Sequence, residues 1–274
     1  MPELPEVETI ARGLSKRIAG DVIESVWLGS KPEPLKSPAS EIAAVLERSR
    51  ILDVRRIGKH VVFDLEPIQN GSASPKSGAQ WIVHLGMTGS LLICPAGSDL
   101  EKHTHAVLQL SSGRELRFVD PRRFGRLSVI EKFEAPGAEP LDVDFELFAN
   151  LFHGRKTPIK SALLNQKLLS GVGNIYADES LFRAGIRPRH RAASLTRDEL
   201  KRLRSALKRV LKEAIRLGGS SVSDYVDSTG EEGFFQLKHR VYGRESKPCL
   251  VCKTPIKRVV IAGRSSHYCP RCQQ

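Results

Sequence analysis

The sequence predicts an α+β fold: an N-terminal helix, an antiparallel β-sandwich or barrel, then a helical domain that closes in a cysteine-rich hairpin. Three observations predict it. Apolar residues recur every three or four positions over residues 2–18, the spacing of one helix face. Eight short apolar-rich runs follow between residues 22 and 131, many of them separated by turn residues. Helical patterns resume after residue 140, and the last 26 residues hold two C-x2-C pairs. With 274 residues the chain is long enough for two cores.

Each element follows from local chemistry. Leu4, Val7, Ile10, Leu14 and Ile18 line the face of the first helix. Pro2 and Pro5 fall in its first turn, where a missing N–H costs little. Gly20 is a natural stop. Strands are expected at Val22–Trp27, Ile51–Ile57, His60–Leu65, Gln80–Leu85, Ser90–Cys94, His105–Leu110, Glu115–Val119 and Gly125–Ile130. Gln69–Gly78 (QNGSASPKSG) reads as a polar loop. Pro136–Pro140 reads as a linker into helices near Phe145–Phe152, Lys160–Leu169, Ile175–Ala184 and Thr196–Leu217. The expected domains are therefore 1–135, 136–245 and 246–274.

Charge narrows the function. The net charge is +12, but residues 1–150 carry 18 Lys+Arg against 21 Asp+Glu, whereas residues 151–274 carry 25 against 10. A net of −3 beside a net of +15 points the second half at a polyanion. A solvated basic surface would look the same, so charge alone does not decide. No run of eighteen apolar residues exists to span a membrane, and the acidic opening MPELPEVET is unlike a secretory signal. A cytoplasmic monomer with no membrane partner is the expectation.

The cysteine pairs are the strongest motif. Cys249-x2-Cys252 and Cys269-x2-Cys272 can supply four thiolates to one tetrahedral zinc ion. Four thiolates leave no place for water, so the metal is structural. Lys257, Arg258 and Arg264 lie between the pairs and make the hairpin basic. Cys94 stands alone.

Other motifs are ambiguous by themselves. Removal of Met1 would expose the secondary amine of Pro2, whose ordinary pKa leaves part of it neutral and nucleophilic at pH 7. Such an amine can attack an anomeric carbon and form an iminium. Glu3 and Glu6 stand beside it as candidate acid and base. Pro and Glu also suit any helix's first turn. Gly171-Val172-Gly173-Asn174 could cradle a phosphate, or Asn174 could simply cap a helix. Asp120-Pro121-Arg122-Arg123-Phe124-Gly125 sets two cations beside an aromatic, which suits filling the hole left by an extruded base. It also suits an ordinary turn over a core Phe, and Met87 is equally ambiguous.

In combination these segments are specific. MPELPEVET, His84-Leu85-Gly86-Met87-Thr88-Gly89, DPRRFG, GVGNIYADESLF and the final cysteines occur in an order that closely resembles the bacterial formamidopyrimidine-DNA glycosylase family, over nearly the whole chain. The resemblance implies a β-sandwich behind a catalytic helix, a helix–two-turn–helix domain and a zinc hairpin. It implies excision of oxidised purines from damaged double-stranded DNA, followed by β,δ-elimination at the abasic site. Pro2 would be the nucleophile, Glu3 the general acid/base, Glu6 part of the same pocket, and Lys59 the lysine near the lesion phosphate. Lys160, Asn174 and Arg264 would hold phosphates, Arg264 within the catalytic set. His105, Arg123 and Tyr242 would be further DNA contacts. Met87, Arg122 and Phe124 would fill the gap after base flipping, and Gly218–Phe235 would cover the flipped base. Two alternatives remain: an endonuclease VIII-like enzyme for oxidised pyrimidines, against which Leu4 and DPRRFG argue, and a non-catalytic zinc-ribbon DNA-binding protein, which leaves MPELPE unexplained.

Overall fold

The structure is a computed structural model that describes residues 1–68, 78–221 and 226–274. The polar loop expected at Gln69–Gly78 lies, apart from Gly78, outside the described residues. The chain divides into two compact units, Met1–Glu134 with Gly218–Gly233, and Ala135–Leu217 with Phe234–Gln274. The segment Gly218–Gly233 thus belongs with the first unit, although sequence order placed it in the helical domain.

In the first unit, α1 (Leu4–Ile18) buries Leu4, Val7, Ile10, Ala11, Leu14 and Ile18. Full burial of a large aliphatic side chain contributes about 1.5–3 kcal/mol, so this face anchors the helix. It packs against β2 (Ser49–Ile57) and β3 (His60–Pro67). The other strands are β1 (Ile23–Leu28), β4 (Gln80–His84), β5 (Ser90–Pro95), β6 (Thr104–Leu110), β7 (Arg114–Val119) and β8 (Arg126–Ile130). They form two antiparallel sheets ordered β1-β6-β7-β5 and β2-β3-β4-β8. Both sheets and α1 contribute to one core, with Phe63, Trp81, Leu116 and Phe118 fully buried. All eight expected strands are present. A short helix α2 (Ala39–Leu46) was not foreseen; it follows Pro38 and buries only Ile42 and Leu46, too few apolar positions to show a period.

In the second unit, α3 (Phe145–Phe152) starts where Asp144 accepts the Leu147 N–H at 2.8 Å. Helix α4 (Ile159–Leu164) is shorter than its expected Lys160–Leu169. The Gln166 amide diverts the chain by bonding the Leu164 and Val172 carbonyls and the Gly171 N–H. Helix α5 (Asn174–Ala184) ends at left-handed Gly185. Helix α6 (Arg197–Arg216) opens on a Thr196/Glu199 capping box and buries seven residues at helical spacing. A final hairpin, β9 (Lys257–Ile261) and β10 (Arg264–Tyr268), turns through Ala262 and Gly263, both at positive φ. Two consecutive left-handed residues match the twist of a tight hairpin. Among the described residues no helix is long and apolar enough to cross a membrane.

Candidate functional site

The site begins at the N-terminus of α1. Pro2, Glu3 and Glu6 are all buried, while Met1 is exposed. Glu6 occupies the third helical position, and its Oε2 accepts the Glu3 N–H at 2.8 Å. Its Oε1 accepts the Ser220 N–H at 2.8 Å. One carboxylate thus ties the start of α1 to the Gly218–Gly233 segment. Gly219 makes this approach possible: it sits at φ +86, and a Cβ there would fall 2.9 Å from the Glu6 side chain. The positive end of the helix dipole favours carboxylates at this turn.

Lys59 lies in the two-residue turn that joins β2 to β3, the strands on which α1 packs, and Arg56 near that turn bonds Glu8 of α1 at 2.6 Å. Ile57 pairs with His60 across that turn, and Gly58 takes a positive φ. Lys59 is 8% exposed. His84 stands close enough for the Lys59 charge to act on it. Burial first, then His60, Arg126 and Lys59, pushes His84 down to about 4. Its Nδ1 accepts the Gly86 N–H at 3.0 Å, which fixes the turn that carries Met87.

Met87, Arg122 and Phe124 are exposed, so the core reading of Met87 and Phe124 does not hold. They belong to two turns that touch. A Cβ on Gly86 would meet the Phe124 backbone at 2.5 Å, so only glycine lets these turns close. The fully buried Asp120 braces both. Its Oδ1 accepts the Thr88 hydroxyl at 2.6 Å and the Arg122 N–H, and its Oδ2 accepts the Gly125 N–H at 2.7 Å. The Arg122 guanidinium lies 4.7 Å from the centre of the Phe124 ring. A cation and an apolar wedge are thereby presented together at the surface.

His105, expected as a DNA contact, is largely covered but lines the same cleft as Trp27, Lys31 and Arg123. It is buried, and its Nε2 bonds the Asp120 carbonyl at 3.0 Å. Alternation along β6 puts it on the face opposite the core residues Ala106, Leu108 and Leu110. Its neighbour His103 is exposed at φ +72 and lines an open cleft of about 450 Å³ with Trp27, Lys31 and Arg123. A left-handed non-glycine residue has no sequence signature, and sequence reasoning missed it. Arg123 is also left-handed and pairs with Glu33 at 2.8 Å.

In the second unit Asn174 is the first residue of α5, and Gly173 is its N-cap. The alternative in which Asn174 caps the helix therefore does not hold; its Nδ2 reaches the Ser265 hydroxyl at 3.3 Å instead. Arg264 is exposed where β10 begins. Tyr242 is half-buried, edge-on to His239 and His267. The carboxylate of the fully buried Glu179 accepts the N–H groups of Arg240, Val241 and Tyr242 at 2.9–3.0 Å, which fixes that loop. Lys160 is not at the surface. It is fully buried against Asp178, so it is not available as the phosphate clamp that the sequence led us to expect.

Cys249, Cys252, Cys269 and Cys272 bring their sulfur atoms within 4.8 Å of one another. The sulfur–sulfur distance is 3.9 Å for Cys249–Cys272 and 3.4 Å for Cys252–Cys269. A tetrahedral zinc with bonds near 2.3 Å separates its thiolates by about 3.8 Å, so the four fit one structural zinc ion. Cys94 is apart from them, beside Glu101.

A helix that presents buried acids beside Pro2, a surface wedge and a four-cysteine zinc hairpin together define a zinc-bearing DNA glycosylase. Family models agree along the chain: the formamidopyrimidine-DNA glycosylase N-terminal domain at residues 1–127, the H2TH domain of the same enzymes at 136–226, and the zinc finger found in FPG and IleRS at 246–274. The formamidopyrimidine-DNA glycosylase of Solibacter usitatus is 45% identical, with all of both chains covered. That of Thermus thermophilus is 44% identical over all of this chain and 98% of its own. The crystal structure of the MutM (Fpg) protein from Thermus thermophilus superposes with a TM-score of 0.85 at 41% identity, covering 99% of this chain and 98% of that one. A complex of a Lactococcus lactis Fpg variant with Fapy-dG-containing DNA gives 0.89 at 31% identity, with both chains covered in full. The chain belongs to the formamidopyrimidine-DNA glycosylase family.

Proposed function

We propose that the protein excises oxidised purines, oxoguanine and formamidopyrimidines, from duplex DNA and then cleaves the strand at the resulting abasic site. The observation that carries this reading is the buried cluster at the start of α1, where Glu6 holds both the Glu3 backbone and Ser220. Once Met1 is removed, the Pro2 nitrogen is a secondary amine. It attacks C1′ of the damaged nucleotide and displaces the base, with Glu3 moving a proton on the deoxyribose to help open the ring. The resulting iminium acidifies C2′; loss of that proton expels the 3′ phosphate, and a second elimination expels the 5′ phosphate. Lys59 serves the lesion phosphate from its turn between β2 and β3. Met87, Arg122 and Phe124 fill the vacated stack, which offsets part of the few kcal/mol that base extrusion costs. Asn174, Arg264 and Tyr242 hold the backbone; Arg123 offers it a cation and His103 a ring N–H in the first unit. The zinc ion shapes the hairpin and takes no chemical step. The solved complexes of the Lactococcus lactis relative with Fapy-dG and abasic-site DNA support the substrate.

The test is borohydride trapping of Met1-free protein on duplexes that carry oxoguanine, an oxidised pyrimidine or an abasic site. A covalent adduct, lost in Pro2→Gly or behind an uncleaved N-terminal tag, is expected, with oxoguanine preferred. Undiminished trapping by the tagged protein would move the nucleophile to a lysine. Preference for the pyrimidine would assign the chain the endonuclease VIII-like role.

A further inference from the structure

Lys160 and Asp178 form an ion pair with no contact to solvent. Their side chains are 1% and 0% exposed, and Lys160 Nζ stands 2.7 Å from Asp178 Oδ1. The same ammonium donates to the Ser265 carbonyl at 2.6 Å. The other Asp178 oxygen accepts the His267 N–H at 2.8 Å and faces His267 Nδ1 at 3.3 Å.

The backbone geometry explains the choice of these two groups. In a strand, the carbonyl of one residue and the N–H of the residue two further on point to the same side. β9 pairs with β10 through Arg264, Ser266 and Tyr268 on one edge. The Ser265 carbonyl and the His267 N–H therefore point from the opposite edge, which no strand covers among the described residues. Lys160 supplies a donor to the first and Asp178 an acceptor to the second. Together they stand in for two ladder bonds of a missing third strand. Both hydrogen bonds are charge-assisted and hence strong and directional.

A buried ion pair seldom adds stability over apolar side chains of similar volume, and its best-attested benefit is registry. Here the registered element is the strand that begins with Arg264. Asn174, one turn before Asp178 on α5, reaches Ser265 as well. We propose that Lys160 and Asp178 are positioning residues that fix β10 along α5, so that Arg264 and Asn174 meet the DNA backbone as one preassembled clamp, and that Lys160 is not itself a phosphate ligand. The proposal rests on the reading of Arg264 as a DNA contact.

Two measurements test it. In the first, the zinc-loaded, unmodified protein is treated with an amine-acylating reagent, with and without an abasic-site duplex, and modified lysines are mapped by mass spectrometry. Lys160 should stay unmodified in both states. Modification in the free protein that the duplex suppresses would overturn the proposal. In the second, duplex affinity is measured against salt for Lys160→Met/Asp178→Asn, which removes both charges at nearly constant volume. Affinity should fall several-fold with zinc retained, and little further when the same pair is replaced in the Arg264→Ala background, because the pair acts through Arg264; Arg264→Ala alone should flatten the salt slope by about one. A full additional loss of affinity and slope in that background would make Lys160 a phosphate ligand in its own right. A lowered melting temperature with unchanged affinity would leave the pair a structural role only, and either result overturns the proposal. If Arg264→Ala itself leaves affinity and slope unchanged, the clamp reading of Arg264 fails, and acylation still reports separately on Lys160.

Discussion

The Glu6 carboxylate accepts the Ser220 N–H at 2.8 Å, across 214 residues of sequence. With its second oxygen on the Glu3 N–H, it joins the first turn of α1 to the foot of the Gly218–Gly233 segment. Glu6→Gln keeps the shape but presents one amide N–H₂ to a backbone donor. We expect a stability loss of about 2 kcal/mol, the scale of one buried charge-assisted hydrogen bond. Oxoguanine excision should fall more than cleavage of a preformed abasic site, because only the first requires the base to be held. Equal losses on the two substrates would confine Glu6 to the fold.

Phe124 and Arg122 make the second prediction. The ring is 49% exposed yet held by a cation 4.7 Å away and by a turn built on the buried Asp120. Such a side chain is wasted on stability, so Phe124→Ala should leave the melting temperature nearly unchanged. It should slow excision from intact duplex and spare the preformed abasic site, where no base must be extruded. A large thermal destabilisation would count against the wedge.

His84 links stability to pH. Its pKa is lowered to about 4, below the ordinary value of 6.5. The unfolded chain therefore takes up the proton first as pH falls, so stability is fully present above 6.5 and is lost between 6.5 and 4. The loss attributable to this residue should be about 3 kcal/mol. His84→Asn, whose Oδ1 can still accept the Gly86 N–H, should flatten the urea midpoint across that range. An unaltered pH dependence would show that His84 titrates normally.

What the sequence made legible follows from what leaves a period or a fixed spacing. The stripe of Leu4, Val7, Ile10 and Leu14 and the two C-x2-C pairs are local patterns, and both elements are where the spacing put them. The order of motifs carried the family. Burial of individual polar side chains was not legible. Lys160 looks like an exposed DNA contact in one dimension, yet Asp178 holds it inside, and the Asp120 carbonyl leaves His105 largely covered at the wall of its cleft. His103 was missed because positive φ in a non-glycine residue is a tertiary outcome. The cap alternative for Asn174 fails because Gly173 takes that place with no side chain at all.

Zinc supplies the fourth prediction. Cys249 and Cys269 are fully buried among Phe182, Val241 and Ile256, so the metal shell is also the core of the hairpin. Elemental analysis should give one zinc per chain, and Cys249→Ala should abolish duplex binding while the β-sandwich keeps its cooperative unfolding. Full activity in protein shown to be metal-free would contradict this.

Arg264 and Glu3 allow a clamp and a catalyst to be told apart. Arg264 is exposed at the start of β10 and Glu3 is 4% exposed at the start of α1. A phosphate contact positions the enzyme without reading sequence, and each phosphate neutralised releases counterions. Arg264→Ala should therefore weaken binding to every duplex to a similar degree and flatten the salt slope by roughly one. Glu3→Gln removes an acid/base without removing a phosphate contact. It should bind damaged duplex nearly as the parent does, with the parent's salt slope, while base release falls by about a hundredfold or more, the usual contribution of general acid–base catalysis. Binding titrations over a salt series, paired with single-turnover excision, check both. A Glu3→Gln variant that loses binding and excision together would make Glu3 a structural member of its turn, and the proton transfer would then have to be sought elsewhere in the same pocket.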